Sequence, residues 1–230
     1  MSEESTENKG ELRSSPVSGC FILLTIIIVF GGLIVLYTVV GLYQNREIDK
    51  FTQDTPAAIV FPEVTEQVAE RSLAKLRQVG DASEAGESVR VVFSAEELNL
   101  FLTRFDVLED VQGNAKVERI TSQGIVTQMS QPMRKGIIAK GVRYLNGVFV
   151  FEPELRARTV SFKVVDIRPA EGEIPEGFVE NYAILDFFKL DPDNESIRTH
   201  IGSISTIYTE ANQLVIETKE VLPEEVGDAP

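Results

Sequence analysis

CFILLTIIIVFGGLIVLYTVVGLY, residues 20–43, carries no charged side chain over its whole length. At about 1.5 Å per residue it reaches across a hydrocarbon layer of about 30 Å with some tilt. Sixteen of these residues are Leu, Ile, Val or Phe. At roughly 0.3–0.6 kcal/mol apiece they favour insertion by about 5–10 kcal/mol, an upper bound because residues near the ends count less. Many are β-branched, which weakens a helix in water. In lipid the backbone must bond internally, so helix is still expected. Tyr37 and Tyr43 fall where an aromatic belt would sit. The expected membrane-spanning helix covers residues 17–43, with the membrane met through residues 20–43.

Two other readings of this stretch fail. A cleaved signal peptide has a shorter apolar core and then a small-residue site, whereas this run ends in Tyr43-Gln44-Asn45-Arg46. Val17-Ser18-Gly19-Cys20 spells a lipoprotein box, but its apolar stretch follows the cysteine instead of preceding it. The flanking cations tie: Lys9 and Arg13 on one side, Arg46 and Lys50 on the other. A short tail before a large domain favours tail in, domain out. A single-pass protein of the cell membrane with an extracytoplasmic domain is therefore expected.

Outward from the helix, residues 1–16 read as a disordered polar tail and 44–61 as a juxtamembrane linker. Residues 62–88 read as a helix followed by a polar loop. Val64, Val68, Ala69, Leu73 and Leu76 form its apolar edges, and Gly80 ends it. Residues 89–222 form the expected soluble domain, and 223–230 a loose acidic tail.

The domain opens with a strand, Val89–Phe93, and then Ser94-Ala95-Glu96-Glu97, a capping box that starts a helix. Phe93 and Leu98 stand where a hydrophobic staple would, and Leu98, Phe101, Leu102 and Phe105 share an apolar face. Strand-like runs follow at 115–121, 124–130, 137–144, 147–152, 157–168, 203–210 and 213–219. Asn146-Gly147 is a tight-turn dipeptide, so 137–152 reads as a hairpin; Ala211-Asn212 likewise separates the last two strands. Pro175 opens a helix with Phe178, Tyr182, Leu185 and Phe188 on one side. The expected fold class is α+β: an N-terminal transmembrane helix, then a curved antiparallel sheet packed with amphipathic helices.

Composition narrows the function. The 230 residues carry a net charge of −14, which on average repels nucleic acid and anionic lipid. The nearest approach to a basic patch, Arg134, Lys135, Lys140 and Arg143, reads as a solvated strand face. One cysteine, Cys20, leaves no intramolecular disulfide, and with one histidine there is no structural zinc site; His200 is the only candidate base for a catalytic triad and reads instead as a plain polar residue. Asp191-Pro192-Asp193-Asn194-Glu195 starts like a calcium loop but lacks the required Gly and Glu further on. Glu96 and Glu97 read as exposed cap residues. No enzyme activity, cofactor or metal is expected. The candidate binding residues are Leu98, Phe101, Leu102, Phe105, Phe178, Tyr182 and Leu185, which either line an apolar groove for a lipid or fill the core. The partners to expect are a lipid, an envelope protein, or the other subunits of a membrane complex.

The order of features resembles the YpmS-like membrane-anchored bacterial proteins. It rests on the anchor, the segment Phe93-Ser94-Ala95-Glu96-Glu97-Leu98-Asn99, the run Arg143-Tyr144-Leu145-Asn146-Gly147, the helix at Pro175, and the closing Gln213-Leu214-Val215-Ile216. It covers roughly residues 18–219; the helix at 62–79 departs from it. The resemblance implies a small relative of tubular lipid-binding folds and supplies no catalytic residue.

Overall fold

The computed structural model describes residues 16–61, 64–104, 108, 111–134, 141–156, 159–182 and 204–219. Helix α1 runs Pro16–Asp49, six residues beyond the end of the apolar run. Its large side chains point outward all along: Phe21 is 66% exposed and Ile34 65%. It is long and apolar enough to cross a membrane, alone in this among the described residues.

Helix α2 spans Glu66–Ala85. The Thr65 hydroxyl caps its start by accepting from the Val68 amide, and Gly86 closes it in a left-handed conformation. The expected stop at Gly80 does not occur. Gly80 is buried among Ser72, Val79 and Ala82 on the inner face. A mid-helix glycine costs about 1 kcal/mol relative to alanine, and the inward packing of this face outweighs it.

Strand β1 (Arg90–Phe93) leads into helix α3 (Ala95–Arg104) through the expected capping box. The Ser94 amide donates to Glu97 Oε2 at 2.8 Å, and the Glu97 amide to Ser94 Oγ at 3.3 Å. Strands β2 (Ala115–Thr121), β3 (Gly124–Arg134), β4 (Val142–Arg156) and β5 (Thr159–Pro169) form an antiparallel meander in chain order. After the short helix α4 (Phe178–Tyr182), β6 (Ile204–Glu210) and β7 (Gln213–Thr218) form a hairpin. Its turn residues, Ala211 and Asn212, both take positive φ (42° and 70°), as a type I′ turn requires. Strand β7 also pairs with β1, so the expected α+β fold is present and its antiparallel strands form two sheets, of four and three strands.

Both sheets share one core. Phe93, Ala115, Met129, Leu145, Phe149, Phe151, Val164 and Leu214 belong to a single buried cluster. Strand β6 packs across β2, β3 and β4, which places the smaller sheet over the larger one.

The hairpin expected at 137–152 is not formed. Asn146 and Gly147 lie inside β4, and neither adopts the left-handed backbone that a type I′ turn needs. Strand β4 pairs with β3 from Val142 to Phe151, and Arg134 opposite Val142 marks the inner end of that ladder. A methyl at Gly147 would sit 2.3 Å from the Arg168 carbonyl oxygen. That glycine serves close strand approach, not a turn.

Candidate functional site

Helix α1 ends on the sheet, and the structure concentrates its buried polar chemistry there. Arg143, in β4, is 8% exposed. Its Nε donates to Thr52 Oγ1 at 2.7 Å and its Nη1 to Asp54 Oδ1 at 2.6 Å; its Nη2 donates to the Thr52 carbonyl. Asp49 Oδ1, at the last residue of α1, lies 3.1 Å from Nε. The planar guanidinium thus spends its fork on the helix end and on the residues just after it. The two carboxylates stay wet: their side chains are 46% (Asp49) and 77% (Asp54) exposed.

Beside this pair a backbone clasp forms. Strand β5 stops at Pro169, opposite Gly147, so the edge of β4 ahead of that point has no strand beside it. Gln53 and Tyr144 exchange both backbone hydrogen bonds at 2.8 Å there, an isolated antiparallel bridge. Asn146 finishes the clasp. Its Oδ1 accepts from Ser130 Oγ at 2.7 Å and from the Ala57 amide at 3.0 Å. Its Nδ2 donates to the Thr55 carbonyl at 3.0 Å and to Gln53 Oε1. Asn146 is 3% exposed, and both ends of its amide are satisfied.

Two apolar contacts complete the joint. Phe51 is 3% exposed and meets Phe178 of α4 edge-on, with ring centroids 5.2 Å apart. Gly172 takes φ +69°, and a methyl there would lie 2.0 Å from the Lys50 carbonyl oxygen. Glycine is needed for the backbone angle and again for the space. Residues 44–61, read from sequence as a linker, are therefore helical to Asp49 and then held against the sheet through Ala57. The expected solvated face at Arg143 is a correction of the same kind: this cation is buried and paired. Lys135 and Lys140 lie outside the described residues.

A second polar knot sits where α2, β1 and α3 meet. Lys75 Nζ donates to the Val92 carbonyl at 2.7 Å and to Glu97 Oε2 at 2.8 Å, and lies 5.6 Å from the centre of the Phe93 ring. Its distance to Glu97 Oε1 is also 2.7 Å, although the hydrogen-bond geometry favours Oε2. Glu97 is 4% exposed, which corrects its reading as an exposed cap residue. Burial alone would raise its pKa. The Lys75 ammonium and the Ser94 amide outweigh that and hold it below the ordinary carboxyl range.

The candidate groove residues are dispersed. Leu102 belongs to the core, and Leu98, Phe101 and Phe178 pack against it from partly buried positions. Phe101 meets Phe93 at 5.4 Å. Helix α3 packs on β2 and helix α4 on β5, the two outer strands of the larger sheet. Tyr182 ends α4, while Phe105 and Leu185 lie outside the described residues. An open depression beside α2 is lined by Ala74, Ala82, Ala85 and Val89 together with Arg77, Gln78, Asp81, Glu87 and Ser88, a mixed polar and apolar surface. Among the described residues no three His, Cys, Asp or Glu side chains gather as a metal site would require. His200 and the acidic run 191–195 lie outside them.

Sequence reading missed Arg143, Asn146 and Asn99. Arg143 had a signal: it shares strand parity with Leu145, Phe149 and Phe151, the buried side of β4. Placing a turn at Asn146 cut that strand and hid the alternation. Asn99 is 4% exposed and serves as a strand partner to Val117, bonding its amide and its carbonyl at 2.7 Å each. No protein-family model, curated protein or solved structure matches the chain.

Proposed function

We propose that this chain is a non-enzymatic, single-pass membrane protein that presents its α+β domain, outside the cytoplasm, to a protein partner in the membrane or cell envelope. One observation carries the reading: the apolar helix is clasped to the sheet by Arg143, Tyr144 and Asn146, with no free tether between them. While the clasp is closed, the orientation it fixes lowers the ordering cost of docking onto a partner held in the same bilayer. A carrier of a small apolar ligand has no such need. The lipid-groove alternative is weaker because Leu98, Phe101, Leu102 and Phe178 spend their apolar surface on the core. The absence of enzyme chemistry is supported by the sequence, whose single histidine offers no nucleophile-activating set. Kinship with the YpmS-like proteins belongs to this proposal as well.

Photo-crosslinking of the full chain in intact membranes, from exposed positions on the domain, tests it. A stoichiometric protein adduct is the expected result. A chain that crosslinks only to lipid, or that leaves the membrane fraction in alkaline carbonate, sinks the reading.

A further inference from the structure

We propose that residues 50–57 form a latch that opens as one unit, with Arg143 as its key, so that α1 has a docked and a released state relative to the domain. This concerns the joint alone and holds whether or not α1 spans a bilayer.

Four observations converge. First, the latch is gripped almost entirely from one short stretch of β4: Arg143, Tyr144 and Asn146 supply its polar contacts. Second, it stands outside both sheets. The Gln53–Tyr144 pair is an isolated bridge, so the four-stranded and three-stranded ladders keep all their own partners when it opens. Third, its ionic partners are at the rim. Asp54 is largely hydrated and Asp49 about half so, and opening lets water reach Arg143 too, so no charge is stranded in a dry interior. Fourth, only Phe51 and Thr52 of the latch are buried, and Phe51 alone is apolar. Beyond it the chain turns outward: Asp54, Thr55, Pro56, Ala58 and Val60 are exposed. A single buried apolar anchor, with carboxylate partners that reach solvent, is the physical mark of a segment that opens below the global unfolding free energy.

Arg143 is the key because its three guanidinium nitrogens are divided among Thr52, Asp54 and Asp49, whereas Asn146 and Tyr144 hold only residues 53–57. Removing the fork frees the helix end and the first half of the latch together. A lysine at 143 keeps the charge but reaches only part of this set, so it should hold the latch partly closed.

Limited trypsin digestion of the full chain in detergent micelles reads both states. Lys50 lies in the latch, and its cleavage reports opening. Lys163 lies within β5, and its cleavage reports loss of the domain. Arg143→Met should raise the rate of cleavage after Lys50 by about tenfold or more, with cleavage after Lys163 unchanged. Arg143→Lys should give an intermediate rise. If cleavage at both sites rises in parallel, Arg143 is merely structural and the latch is refuted; if neither rises, Arg143 does not hold the joint. Should Arg143→Met fail to accumulate, the double variant Asp49→Asn with Asp54→Asn leaves the arginine in place. It should still raise Lys50 cleavage severalfold, and an unchanged rate would overturn the proposal.

Discussion

Among the described residues two ion pairs reach into the interior, Lys75–Glu97 and Arg143 with Asp49 and Asp54, and they are set in opposite ways. Lys75 joins α2 to β1 and α3, and its carboxylate partner Glu97 is as dry as the core around it. Arg143 joins α1 to β4, and its carboxylate partners stand in water. In the first pair the anion is the dry member, so losing the partly exposed lysine strands a buried carboxylate. An ion pair with its anions at the surface can come apart into solvent at little cost. The first therefore belongs to the global stability of the domain. The second belongs to the local stability of a joint.

The contrast is easiest to break with Lys75→Met. It leaves the Glu97 carboxylate buried with only the Ser94 amide as partner, and should cost about 3–5 kcal/mol in urea denaturation at neutral pH. A loss under about 1 kcal/mol would show that Glu97 escapes to water, contrary to its burial. Asn99→Ala sharpens the comparison with a neutral group. It orphans the Val117 amide and carbonyl and should cost about 2–3 kcal/mol by the same measurement. Arg143→Met should lower the global unfolding free energy by only about 1 kcal/mol, because the latch opens and water takes over its contacts. If Arg143→Met matched Lys75→Met, the two knots would be equivalent and the distinction lost.

The smallest effect is a slope with pH. Glu97 has a folded pKa below the ordinary carboxyl value of 4.5. Its contribution is whole above 4.5 and is lost as the pH falls through the lowered folded value. The unmodified protein should lose stability across that interval. In Lys75→Met burial dominates and raises the Glu97 pKa, so the same acidification should cost less or even stabilise. Melting midpoints recorded in parallel for the two proteins check the sign. Identical slopes would remove Glu97 from the account.

Much of this was open to sequence reading where the signal is local. The capping box at Ser94–Glu97, strand β2 and the Ala211-Asn212 turn depend on neighbours within a few residues, and they fold as expected. Gly80 and Asn146-Gly147 carry strong local signals too, yet both sit inside regular elements. Each is overridden by packing from distant parts of the chain: the inner face of α2 at Gly80, and Arg168, Ser130 and residues 53–57 around Asn146-Gly147. The joint was least legible, since Thr52 and Arg143 are 91 positions apart.

By itself the sequence determined the apolar helix, the α+β character and most of the strand positions, because each follows from hydrophobic periodicity and turn chemistry over short windows. Only the tertiary structure decided that the strands divide into two sheets, that Glu97 and Arg143 are buried, and that the segment after α1 is clasped instead of free. Those outcomes depend on which groups meet after the chain has closed on itself. A polar side chain is driven inside only where a partner from elsewhere awaits it, and no local pattern records that partner.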